Sequence, residues 1–286
     1  SHRHRFNFLH IPETAGTALR ERLRTLDPDC EYGWDWGWAA ERGRYVDQAH
    51  VLMRDLEASA YHRRILREYF SFAVIRNPYE RFVSGLLEHL RQRGQRVTAE
   101  TVRTAVEGLD PFRVRFDAGF IHLCPMHEFT HLGVRRRFDH LLRFEHLDED
   151  LAEMSALLGL NAGTLLPVGR VNVTNTEDRS LVRDTLNAPD LQARITAFYE
   201  FDWRLFSAYD PAGGENEPLA ARAEKLAGLA PPAQWQRDRD GMFLPSLVPM
   251  AATVSKALSS ERRASELAAA LKAEQKRNAA LDATAS

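Results

Sequence analysis

The sequence predicts an α/β protein organised around a parallel sheet. A short apolar run followed by a turn and a helix-spaced segment occurs twice, and strand and helix alternate early while helices dominate late. In the first unit, residues 5–11 form an apolar, aromatic-rich run that ends at Pro12 and a Thr-Ala-Gly-Thr turn. Residues 18–26 then place Leu19, Leu23 and Leu26 at helical spacing. In the second, residues 69–75 read as a buried strand, Asn77-Pro78 as a turn with proline at the first helical position, and residues 79–92 as a helix. Residues 137–144 fit a third strand, followed by a helix over 148–158. Further helices are expected over 59–68, 178–186 and 189–209. Trp34, Trp36 and Trp38 lie in a Gly- and Asp-rich stretch that reads as a loop.

The best boundary is the Pro-, Gly- and polar-rich stretch 210–218, giving a domain over 1–210 and a linker with a helical extension over 211–286. Residues 259–280 are rich in Ala, Lys and Glu, and their thin apolar face favours a solvated helix over a partner-binding one.

At 286 residues and 44% apolar content the chain can bury a sizeable core. Its 38 basic and 40 acidic residues leave a formal charge of −2. No nucleic-acid partner is implied, so any anion site must be local. Cys30 and Cys124 show neither metal-ligand nor redox spacing; reduced thiols in a cytoplasmic protein are the default, with a single disulfide as the other option. No apolar run approaches the roughly 18 residues of a membrane span, and the basic start lacks a signal-peptide core. A removed leader or anchor would leave no trace.

The loop of the first unit carries small residues, Ala15, Gly16 and Ala18, that let backbone wrap closely around an anion at a helix start, and Thr14 and Thr17 add hydroxyl donors. It lacks the Gly-x-x-x-x-Gly-Lys-Ser/Thr spacing of an ordinary ATPase or GTPase loop. Alone, it reads equally well as a threonine-capped turn. In the second unit Arg76 falls at the end of a strand, where open α/β sheets bind ligands, and Ser84 follows two helical turns later. A guanidinium fork and a hydroxyl suit a phosphate monoester.

Together the segments resemble the sulfotransferases that use 3′-phosphoadenosine-5′-phosphosulfate (PAPS), in particular the branch with the heparan and dermatan 2-O-sulfotransferases and bacterial carbohydrate sulfotransferases. The loop of the first unit is similar to that family's 5′-phosphosulfate loop, Ile-Pro-Lys-Thr-Ala-Gly-Thr-Ser. The Arg76 segment resembles its 3′-phosphate motif, Arg-x-Pro-x-x-Arg-x-x-Ser, matched in full by Arg76, Pro78, Arg81 and Ser84. Weaker similarity runs through Ala49-His50-Val51, residues 122–129, 142–151 and 170–209. The resemblance implies a P-loop-NTPase-like three-layer fold, a central parallel sheet flanked by helices with a helical C-terminal part. It also implies a PAPS donor, the bisphosphate product PAP, no metal, and a hydroxyl acceptor, most naturally on a carbohydrate. An oligomer is compatible with the sequence.

The resemblance assigns Thr14, Ala15, Gly16, Thr17, Ala18, Arg76 and Ser84 to the donor, with Arg170 and Asn172, beside Thr174, as a partial match to a further donor-side segment. His50 sits at an interval similar to that of the family's histidine base. Trp34, Trp36, Trp38 and His122 are acceptor-side candidates, the tryptophans fitting core packing equally well.

One residue departs from the pattern. Where the family carries the lysine that neutralises the leaving phosphate, this chain carries Glu13. Either transfer is disabled or severely impaired, or another cation such as Arg20 or Arg54 serves, or Glu13 turns away into solvent. The otherwise intact loop favours the first, which leaves a catalytically inactive nucleotide-binding homologue as the alternative function.

A rival motif is His127-Glu128-x-x-His131, the zinc-protease pattern, with Glu145, Glu149 or Glu153 as conceivable third ligands. Pro125 and Gly133 leave little room for its helix. The same stretch fits a sulfotransferase His-x-x-Pro-x-x-x-Phe template through His122, Pro125 and Phe129.

Overall fold

The computed structural model describes residues 1–27, 36–39, 44–47, 49–133, 135–161, 164–165 and 175–208. Along the chain run β1 (Phe6–Leu9), α1 (Gly16–Leu26), β2 (Trp36–Ala39), β3 (Arg44–Asp47), α2 (Met53–Ala58), α3 (Ala60–Glu68), β4 (Phe70–Ile75) and α4 (Pro78–Gln92). Next come α5 (Ala99–Glu107), α6 (Pro111–Phe116), a 3₁₀ segment (Ala118–Leu123), α7 (His127–Thr130), β5 (His131–Leu132), β6 (Arg135–Arg136) and β7 (His140–Arg143). A short 3₁₀ turn then leads to α8 (Leu147–Leu157), α9 (Thr176–Leu186), α10 (Pro189–Phe198) and α11 (Glu200–Ser207).

The central sheet is parallel, in the order β1-β4-β7, with Phe8 opposite Phe72 and Val74 opposite Leu142. Such a sheet is covered on both faces, which explains why 70–75 is apolar almost throughout rather than alternating. Phe72, Val74 and Leu142 face Leu19 and Leu23 of α1 and Leu151 and Met154 of α8. Ala73, Ile75 and Leu141 face the opposite way, onto Met53 and Leu56 of α2, Phe129 of α7 and Leu205 of α11. Each large side chain so buried contributes about 1.5–3 kcal/mol. The result is the three-layer, P-loop-like α/β architecture expected.

A third core lies among helices, where Phe82, Val83, Leu86 and Leu90 of α4 pack on α5, α9 and α10 through Val102, Val106, Val182, Leu186, Leu191 and Ile195. This block fixes α4, whose start is set by Pro78 at its first turn and by the Asn77 side chain, which accepts from the Tyr79 and Glu80 amides. The 3₁₀ segment approaches α4 so closely that a β-carbon on Gly85 would land on the His122 carbonyl oxygen.

Two expectations need correction, and the rival histidine motif is resolved. Trp36 and Trp38 lie on β2 of an antiparallel hairpin with β3, not in a loop. The helix expected over 189–209 is two helices, interrupted at Tyr199 (φ −104°, ψ 23°), whose buried hydroxyl donates to the Leu123 carbonyl at 2.6 Å. His127 and His131 share no helix face: α7 is a single turn and His131 already lies on β5. His127 instead bonds Asp202 and Glu128 in a buried network, and among the described residues no cluster of three or more His, Cys, Asp or Glu could hold a metal. That geometry removes the zinc-protease reading. Cys124 is a free thiol, fully buried, which pushes its pKa up and makes it unreactive. Trp34, Cys30, Arg170, Asn172, Thr174 and everything beyond 208 lie outside the described residues.

The α4–3₁₀ contact yields a pH prediction. His89, only 5% exposed, bonds the Gly119 carbonyl, and burial, reinforced by Arg93, pushes its pKa down to about 4 from an ordinary 6.5. The unfolded chain takes up this proton first as pH falls, so the stabilisation is complete above 6.5 and is lost between 6.5 and 4. Urea denaturation should record stability lower at pH 4.5 than at 7.5, and His89→Gln should reduce that difference by about 2 kcal/mol. The lowered pKa of His10 acts in the same direction and leaves a residual slope.

Candidate active site

Between β1 and α1 the chain makes a tight turn in which Glu13 (φ 67°) and Ala15 (φ 64°) both adopt the left-handed conformation. Non-glycine residues there cost on the order of 1–3 kcal/mol each and persist only when their surroundings over-determine them. Here the constraints are explicit. The buried Thr14 hydroxyl donates to the Ile11 carbonyl at 2.8 Å, Arg81 Nε donates to the Pro12 carbonyl at 3.0 Å, and Arg76 Nη1 donates to the Glu13 carbonyl at 3.0 Å. Ala15, at the N-cap of α1, offers no side-chain cap, so the first amides of this eleven-residue helix are left for an anion. Gly16 follows because a β-carbon there would land on the His10 imidazole.

Arg76 stands at the end of β4. The same Nη1 that holds the Glu13 carbonyl also donates to Ser84 Oγ at 3.2 Å, and its guanidinium lies over the Phe144 ring at 4.2 Å. One side chain thereby joins the loop to the second segment. Its pKa is pushed down, by burial first and then by Arg179, yet a guanidinium stays charged at neutral pH. Arg81 is 1% exposed and donates Nη2 to the Cys124 carbonyl at 2.7 Å. It is a clip between backbone segments.

Glu13 does not turn into solvent. Its Oε1 lies 2.9 Å from His122 Nδ1, while His122 Nε2 is 3.0 Å from Gln92 Nε2. With the glutamine amide donating, Nδ1–H of His122 donates to the carboxylate, which assigns the tautomer. The His50 ring stands 5.3 Å from the His122 ring and 4.4 Å from the His10 ring. His10 is held well below its ordinary pKa, chiefly by burial and then by His50 and Arg20. Three histidines and one carboxylate therefore gather beside the strained loop.

The two alternative cations have partners of their own. Arg20 lies beneath His10, 3.5 Å from its Nδ1. Arg54 bonds the Arg115 carbonyl, stacks on Phe116 at 4.1 Å and pairs with Asp55.

A sulfotransferase-family model matches residues 1–210. The chain belongs to the sulfotransferase family. Comparisons with curated proteins and with solved structures returned no match. Sulfotransferases of this family are PAPS-dependent transferases, and the strained loop and the Arg76–Ser84 pair lie within the matched residues. No described helix of this sulfotransferase is long and apolar enough to cross a membrane.

Of the residues expected from sequence, Thr14, Ala15, Gly16, Thr17, Ala18, Arg76 and Ser84 are brought together, and Glu13, His50 and His122 form an adjoining cluster. The side chains of Trp36 and Trp38 are outside what is described. Two further participants carry little or no signal in the sequence. His10, between strand and loop, is marked only by its place next to Ile11-Pro12. Arg179, on α9, donates to Ser84 Oγ across 95 positions of sequence, for which no local signal exists.

The loop geometry is testable through Gly16. Gly16→Ala should lower stability by about 1–3 kcal/mol through overpacking against His10, read as a fall in Tm. Adding His10→Ala should recover most of the loss, because the ring that collides is removed.

Proposed function

We propose that this sulfotransferase binds PAPS and PAP across the two segments and transfers the sulfuryl group by in-line attack to a hydroxyl, on a carbohydrate, with Glu13 holding the rate low. The observation that carries this reading is the Arg76 side chain, which bridges the Glu13 carbonyl and the Ser84 hydroxyl. Two anion-holding segments, 63 positions apart at Glu13 and Arg76, thus come within one guanidinium of each other. The residues suit the donor: the amides of residues 15–18 with the Thr17 hydroxyl for the 5′-phosphosulfate, Arg76 and Ser84 for the 3′-phosphate, and Arg170 and Asn172 on the adenosine side. The bound donor supplies an activated sulfuryl group.

His50 is the proposed base, half-buried between His10 and His122, taking the acceptor proton. Trp34, Trp36, Trp38 and His122 are proposed for the acceptor side. Glu13 is the one misfit. A carboxylate beside the donor adds repulsion where charge should be neutralised, and its bond to His122 keeps it inside the site. This same bond favours the second reading, a nucleotide-binding homologue whose transfer step is lost.

Calorimetry should detect PAP binding, with Arg76→Ala weakening it by about 10- to 100-fold; no binding at millimolar PAP would overturn the donor assignment. Labelled-sulfate transfer separates the two readings of Glu13. Glu13→Lys should raise the rate by about 10² or more, from a low value if the chain is a slow enzyme and from background if it is a binding homologue. Equal activity before and after would mean that Glu13 is no handicap.

A further inference from the structure

Ser84 is 7% exposed on α4, and its hydroxyl oxygen accepts from two guanidiniums at once, Arg76 Nη1 at 3.2 Å and Arg179 Nη1 at 3.3 Å. Among the described residues the hydroxyl donates to nothing. Arg76 forms no ion pair among those residues, whereas Arg179 and Arg183 both donate to one carboxylate oxygen of Glu80, each at 2.7 Å. Arg76 and Arg179 therefore meet at one hydroxyl, and the carboxylates of Glu13, Glu80 and Glu145 act on Arg76 through space without pairing directly with it. Holding two guanidiniums against a neutral hydroxyl is electrostatically unfavourable. It becomes favourable when a doubly charged anion lies between them, and a phosphate monoester carries about −1.5 to −2 charges at neutral pH. The Ser84 proton is then free to donate to a phosphate oxygen.

We infer that Arg179 is a second phosphate-binding arginine, forming with Arg76 and Ser84 a clamp that selects nucleotides carrying a 3′-phosphate over those that lack it. Glu80 is the positioning residue. It takes Nη2 of Arg179 and leaves Nη1 directed at Ser84, while Arg183 occupies the same carboxylate oxygen from one helical turn further along α9. The pair also pins α9 onto α4, so selectivity depends on a helix far downstream of the motif that starts the site. This assignment rests on the donor site proposed above and deepens it.

The test is calorimetric and uses the whole chain with two probes, PAP and AMP, which differ in the 3′-phosphate. Wild type should prefer PAP. Arg179→Ala should weaken PAP by about 10- to 100-fold and leave AMP unchanged, so that the preference collapses. Arg183→Ala, which touches Glu80 but not Ser84, should retain most of it. The inference is overturned if Arg179→Ala leaves the PAP-to-AMP ratio intact, or if it weakens both probes equally. It is also overturned if Arg183→Ala collapses the ratio as fully as Arg179→Ala, since helix docking would then be the cause. A wild-type chain that binds AMP and PAP equally overturns the clamp alone, while one that binds neither overturns the donor site with it.

Discussion

The Arg81 guanidinium is the interaction on which the rest of the site depends. Buried among the helices beside Tyr199, it reaches from α4 to the Pro12 carbonyl on one side and the Cys124 carbonyl on the other. Both bonds are made to backbone, so they fix where chain segments run rather than which side chains meet. One anchors the strained loop after β1; the other anchors the segment that carries His122. A buried cation is expensive to desolvate, and carbonyl dipoles offset that cost only if their positions hold. With those positions held, Glu13 and Ala15 can remain left-handed and His122 can reach the Glu13 carboxylate.

From this frame the site divides into two regions of opposite electrostatic character. On the α4–α9 side, Arg76 and Arg179 converge on Ser84, and Glu80 holds Arg179 in place. On the loop side, a carboxylate and three histidines replace the single positive side chain that resembling loops carry there. The first region suits a phosphate dianion. In the second, Glu13 gains a hydrogen-bond donor in His122, which accounts for its inward direction despite the proximity of the anion cradle. On the function proposed for this sulfotransferase, binding and transfer are physically separable: amides and arginines serve the one, and residue 13 burdens the other.

Much of this was legible in the chain. The strand–loop–helix units read correctly because apolar runs bounded by Pro12 and Asn77-Pro78 carry local signals for strand end and helix start, and the third strand and α8 followed from the same periodicity. The interruption at Tyr199 escaped because the helical pattern continues through it, and the Leu123 carbonyl that accepts from its hydroxyl lies 76 positions away. The β2–β3 hairpin escaped because Gly37 and the surrounding acidic residues mimic loop composition. Arg81 fits the phosphate motif as one more of its members, and its role as a backbone clip depends on carbonyls that are distant in sequence.

The sequence by itself determined the two strand–loop–helix units, the third strand with the helix after it, and the carboxylate at residue 13, since each is a property of contiguous residues obeying local rules of periodicity, capping and turn chemistry. Tertiary structure alone decided the rest. It turned Glu13 toward His122 rather than into solvent and brought Arg179 to Ser84. Those outcomes are set by packing and by hydrogen bonds between segments far apart in the chain, and no window of sequence contains both partners.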